Sequence, residues 1–105
     1  MCGFEIVTVN PISANFTYSR DSGNQLIAMA GLANKFTSSS SFCSLMTYSL
    51  VNLDSTPYTG TSIINASGVT VPTSQSRLEK FFVKATTAGG ASALFLLDFE
   101  ICGLE

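Results

Sequence analysis

The stretch Leu78–Cys102 decides the fold. It reads LEKFFVKATT over 78–87, AGG over 88–90 and ASALFLLDFEIC over 91–102. In the first run Phe81, Val83 and Ala85 alternate with Lys80, Phe82, Lys84 and Thr86. In the last, Phe95, Leu97, Phe99 and Ile101 alternate with Leu96, Asp98 and Glu100. A period of two is the signature of a strand with one buried face. Ala88-Gly89-Gly90 supplies the positive φ that a tight hairpin needs. Leu78–Thr87 and Ala91–Cys102 are therefore predicted to be two long antiparallel strands with an aromatic-aliphatic inner face.

Toward the N-terminus the same grammar continues in shorter units. Thr61–Asn65 and Val69–Thr73 form a predicted hairpin about Asn65-Ala66-Ser67-Gly68. Asp54–Gly60, which holds Pro57, reads as a loop. Cys43–Leu53 reads as a strand with Met46, Tyr48 and Leu50 on one face. Thr37–Ser41 is a hydroxyl-rich loop. Gln25–Phe36 is the ambiguous run: Leu26, Ile27, Met29, Ala30 and Ala33 suit a helix, but Gly31 interrupts them, and a strand is expected. Asp21-Ser22-Gly23-Asn24 is a turn. Ser13–Ser19 is an extended piece, and Pro11 separates it from a first strand over Phe4–Asn10, as proline does at a sheet edge. The sum is an all-β chain of seven or eight antiparallel strands with turns every 8–12 residues, the pattern of an immunoglobulin-like Greek-key sandwich. No helix is required.

The composition excludes several functions. Charged residues are 11% of the 105, against a usual share of about 25%. Polarity comes instead from 15 Ser and 11 Thr, which suits a β-rich extracellular or cell-surface protein. Five basic residues and a net charge of −2 form no stripe able to neutralise a nucleic-acid backbone. No run approaches the ~18 apolar residues of a membrane span. There is no His, which removes Ser-His-Asp and Cys-His catalysis and most zinc chemistry. Asp98 and Glu100 share a strand face about 7 Å apart, within the glycosidase range, but solvation of an exposed strand accounts for them. No catalytic residue, cofactor or metal site is expected, and the chain reads as a non-enzyme.

The two ends match. The chain opens Cys2-Gly3-Phe4-Glu5 and closes Cys102-Gly103-Leu104-Glu105, 100 residues apart. A repeat of that period predicts one module over 1–101, with 102–105 as the start of the next repeat or a linker. Its partners would be neighbouring modules of the same array, with head-to-tail self-association as a further possibility. Two N-glycosylation sequons occur, Asn15-Phe16-Thr17 and Asn65-Ala66-Ser67. Phe82, Leu94 and Leu96 fall on the outer face of the last two strands, where they would form a contact patch.

The runs Thr47-Tyr48-Ser49-Leu50, Phe81-Phe82-Val83-Lys84-Ala85-Thr86-Thr87 and Ile101-Cys102-Gly103 resemble the cadherin-like and immunoglobulin-like repeats of very long surface proteins in protists and bacteria. The resemblance implies a seven-stranded Greek-key sandwich in a string of modules with a structural or adhesive role. Classical cadherin repeats bind calcium through clustered acidic motifs. Here the acids are scattered at Glu5, Asp21, Asp54, Glu79, Asp98, Glu100 and Glu105, so the calcium sites do not carry over.

Three cysteines allow the bridges Cys2–Cys43, Cys43–Cys102 and Cys2–Cys102, or none. In an immunoglobulin-like sandwich the chain enters at the end that holds the connection before the third strand. That places Cys2 near Cys43, with Cys102 roughly 20–30 Å away, beyond the ~7 Å limit for a bridge. Cys2–Cys43 is expected, with Cys102 free; the bridge would contribute roughly 4 kcal/mol by loop entropy. Function is expected to be structural or adhesive. A self-assembling pilin-like or filament subunit joined through strand edges is the alternative, and a small glycan- or protein-binding module the third.

Overall fold

The computed structural model describes residues 6–10, 12–39 and 45–103. The chain is mostly β. Its order is β1 Val7–Val9, β2 Ser13–Ser19, β3 Gln25–Ala28, α1 Met29–Ala33, β4 Phe36–Ser38, β5 Met46–Val51, β6 Ile63–Asn65, β7 Gly68–Val71, β8 Arg77–Thr87 and β9 Ser92–Cys102. One sheet runs β2-β9-β8-β5, a second β3-β7-β6, and β1 pairs with β4.

The deciding stretch folds as its alternation predicts. β8 and β9 pair antiparallel from Arg77↔Ile101 to Thr86↔Ser92. Their connection uses only one of the two glycines for its positive φ: Gly90, at 92°. Gly90 donates to the Thr87 carbonyl at 3.0 Å and Thr87 donates to that of Ala91 at 2.8 Å, the hydrogen-bond pattern of a three-residue hairpin with a glycine bulge.

Phe81, Val83, Ala85, Phe95, Leu97, Phe99 and Ile101 all point inward and are buried. They meet Val69 and Val71 of β7, Leu32 of α1, Val7 of β1 and Phe36 of β4 in one cluster. The four-stranded sheet is thus one layer and the smaller sheets are the other, with the core between them. Phe36 bridges the layers, edge-on to Phe95 at 6.4 Å.

The strand expected over Gln25–Phe36 is broken by one helical turn. Side-chain phase explains it. Ile27 faces inward, so a continuous strand would bury Gly31, Ala33 and Lys35 and expose Leu32 and Phe36. One turn over Met29–Ala33, in which Met, Ala and Leu are good helix formers and only Gly31 is not, resets the phase. Leu32 then lies 1% exposed and Phe36 7%. The chain resumes as β4, which begins at Phe36 and carries Thr37 and Ser38 of the expected hydroxyl loop into a strand.

A second departure is β2. It runs parallel to β9, Ser13↔Leu96 through Ser19↔Cys102, where antiparallel pairing was expected throughout. β1 and β2 pair in different sheets, β1 with β4 and β2 with β9. Nearly the whole domain lies between β2 and β9 in sequence, ample for a parallel crossover.

Elsewhere the ends shift by a few residues. β5 stops at Val51 because Asn52 starts a turn: its N–H donates to Thr56 O at 2.8 Å and Ser55 N–H donates to Asn52 O at 2.9 Å. Ser55 is left-handed there, with φ 71°. β7 ends before Pro72. The Asp21–Asn24 turn is held from outside, Thr73 Oγ1 donating to Gly23 O at 2.9 Å. Cys2, Cys43, and with them the expected Cys2–Cys43 bridge, lie outside the described residues, as do Phe4, Glu5 and Leu104–Glu105.

Candidate functional site

The outer face of the four-stranded sheet carries the surface residues singled out from sequence. Phe82 stands opposite Leu96, and Lys84 opposite Leu94. Phe82, Leu94 and Leu96 are therefore brought together, each half-buried. Val51 extends the row as the β5 partner of Phe82, and it is buried. The Asn52–Pro57 turn folds back here, with Pro57 bridged to Val51. A shallow cavity of about 240 Å³ opens between Val51, Ser55, Lys84, Ser92 and Leu94. Lys84 borders the apolar row on the β8 side. One step along the sheet, Lys80 Nζ lies 3.8 Å from Asp98 Oδ2.

Both sequon asparagines are exposed. Asn65 closes β6, and its Oδ1 accepts the Ser67 N–H at 2.9 Å. That bond shapes the two-residue turn that presents the side chain. Asn15 lies on the outer face of β2, opposite Asp98, beside an open polar depression of about 400 Å³ lined also by Thr17, Leu78, Lys80 and Glu100.

Cys102 ends β9 as an exposed free thiol. Arg20 N–H donates to its carbonyl at 2.8 Å. Local desolvation, and then the negative charge and hydrogen bonding of Glu100, push its thiol pKa up. The carboxylate pair Asp98 and Glu100 is thus divided between Lys80 and Cys102.

One cluster was not singled out from sequence. Glu79 is on the inward parity of β8, with Phe81, Val83 and Ala85. Its Oε2 accepts Tyr58 Oη–H at 2.6 Å, and its Oε1 lies 3.2 Å from Arg77 Nη2. Tyr58 Oη in turn accepts the Ser62 N–H at 3.2 Å, while its ring packs on Phe81 at 4.7 Å. Burial first, and then the hydrogen bond to Glu79, push the Tyr58 hydroxyl pKa up. The group plugs one end of the core and pairs these polar atoms with one another, while the buried Ser62 Oγ beside it has no hydrogen-bond partner among the described residues. The signal in the sequence was a carboxylate at an apolar phase position.

Among the described residues no group of three or more Cys, Asp and Glu side chains is placed to hold a metal ion, and no helix is long and apolar enough to cross a membrane. Compared with family models, curated proteins and solved structures, the chain has no match in any of the three.

Proposed function

We propose that the chain is an immunoglobulin-like module that works as a structural or adhesive spacer in an extracellular tandem array. The strand order supports the fold. The orders β3-β7-β6 and β5-β8-β9 correspond to the B-E-D and C-F-G rows of an immunoglobulin sandwich, with β2 as an added edge on the second row.

The observation that carries the spacer role is the β2–β9 pair. The chain enters β2 at Ser13 and leaves β9 at Cys102, and the two strands are parallel over seven register pairs. Once β1 is released from β4, a pull that reaches the start of β2 and the end of β9 drives these strands in opposite directions along their length. Every ladder bond is then loaded in shear at once, rather than opened one by one. This geometry suits a module strung in series. The matching Cys-Gly-apolar-Glu ends, the hydroxyl-rich composition and the two exposed sequons support the array and the extracellular setting.

Force spectroscopy on identical copies joined in tandem tests the reading. Equally spaced unfolding steps are expected, and a proline at Phe16, which interrupts the ladder to β9, should lower the step force. Smooth extension without steps would remove the spacer role. Among the described residues no strand pairs with the outer edge of β2, which also favours a second reading, assembly through strand edges.

A further inference from the structure

We infer that β2 is a self-complementary docking edge that pairs antiparallel with β2 of a second copy about a twofold axis through Phe16. The inference concerns the side of β2 that faces away from β9. It is independent of the spacer role, which uses the other side.

Among the described residues no strand pairs with β2 on that side, and the ladder to β9 fixes which groups turn there. Ile12 O accepts from Leu96 N–H at 2.9 Å, and Arg20 N–H donates to Cys102 O at 2.8 Å. In a strand the N–H and C=O of one residue point to the same side and alternate along the chain. Residues 12, 14, 16, 18 and 20 therefore turn their backbone groups to β9. Ser13, Asn15, Thr17 and Ser19 turn theirs to the open side, and their side chains are exposed.

The two edges of this sheet differ in how they are guarded. At β5, Tyr58 N–H donates to Leu50 O at 3.3 Å and Pro57 lies against Val51, so the chain's own loop covers the Leu50–Val51 end of that edge. Across β2 there is no charge and no proline from Ser13 to Ser19. These are the devices that ordinarily keep an edge from pairing.

A second copy of the chain fits this edge. Place Phe16 opposite Phe16 of the second copy and run the strands antiparallel. Ser13 then faces Ser19, and Asn15 faces Thr17, so all four outward-turned residues of each copy enter hydrogen-bonded pairs. On the inner face Tyr18 faces Ala14, large against small, and the half-buried Phe16 meets its own copy. The nearest charges, Arg20 and Asp21, form an ion pair with each other at 3.4 Å and fall beyond the ladder, so no like charges meet. Shifting the register by two in either direction leaves one pair unmade. One strand pair is smaller than a standard interface, so the dimer is weak.

Sedimentation of the unglycosylated chain in reductant, which removes any disulfide dimer, tests this. A concentration-dependent monomer–dimer equilibrium that stops at two is expected. The double substitution N15K/T17K sets lysines opposite lysines and should weaken the dimer about tenfold. Mixing it with N15E/T17E should restore a heterodimer, since each Lys then faces a Glu. Circular dichroism checks that the variants fold. Monomer alone at the highest concentration, an open series of larger oligomers, or equal dimerisation in the wild-type, lysine and mixed samples would each overturn the proposal. None of these results affects the unfolding steps that test the spacer role.

Discussion

Phe16 of the edge strand and Phe99 of the last strand are register partners in the parallel ladder, and their rings stack with centroids 5.4 Å apart. Phe99 also meets Phe81 at 5.3 Å and Tyr18 at 6.1 Å. One ring therefore joins the start of the chain, its end and the central strand of the sheet. Contacts that close such long loops are costly in chain entropy and are made only when the burial behind them is large.

Phe99→Ala should cost about 3–5 kcal/mol, the range for deleting a fully buried aromatic ring. Phe16→Ala should cost about half as much, because Phe16 keeps one side in solvent. Urea unfolding of both variants measures the difference, and equal losses would mean that β2 is as central as β9.

Gly68 starts β7 with φ 134°. A Cβ there would overlap the Ile27 carbonyl oxygen and approach Met29 N to 2.8 Å. Gly68→Ala should cost more than about 2 kcal/mol, since the strained φ and the clash with backbone add. Gly90→Ala has the positive φ but open space around it, and should cost about 1 kcal/mol. Thermal unfolding of the pair separates strain from clash.

Tyr58→Phe removes the donor to Glu79 and the acceptor for Ser62 N–H. A loss of about 1–2 kcal/mol is expected. The hydroxyls of Tyr18, Tyr48 and Tyr58 are all pushed up by burial, Tyr58 also by its bond to Glu79. A raised pKa means the native state holds protons that the unfolded chain has released. Their contribution is complete below the unfolded value of about 10 and is lost as pH rises through the higher native values. Urea midpoints should therefore fall above about pH 10, less steeply in Tyr58→Phe.

Cys102 should react slowly with iodoacetamide at neutral pH despite its exposure, because the thiolate is the reactive form and its pKa is raised. The rate should climb with pH. Glu100→Gln removes the negative neighbour and should speed alkylation at pH 8. An unchanged rate would assign the shift to desolvation alone.

The candidate site was legible in sequence where alternation alone decided it. Phe82, Leu94 and Leu96 follow from strand parity, and the β8–β9 register then sets Phe82 on Leu96. The exposure of Asn65 follows from the turn residues around it. Glu79 was legible in principle, as a charge on an inward position, but its partner Tyr58 comes from a loop whose path no periodicity encodes. The helical turn at Met29–Ala33 was hidden because a strand and a short helix both turn Ile27 and Met29 inward, and the two readings part only beyond Met29. Only the need to bury Leu32 and Phe36 together distinguishes them.

By itself the sequence determined that this is a β protein, where its long hairpin lies and which face of that hairpin is the core. Those features arise from local side-chain period and turn chemistry. The tertiary structure decided which strands are neighbours: β2 beside β9 and parallel to it, β1 in the opposite layer, and Tyr58 over Phe81. Every strand edge offers the same backbone donors and acceptors, so the backbone does not say which strand is the neighbour. The choice comes from which aromatic faces close over a common core.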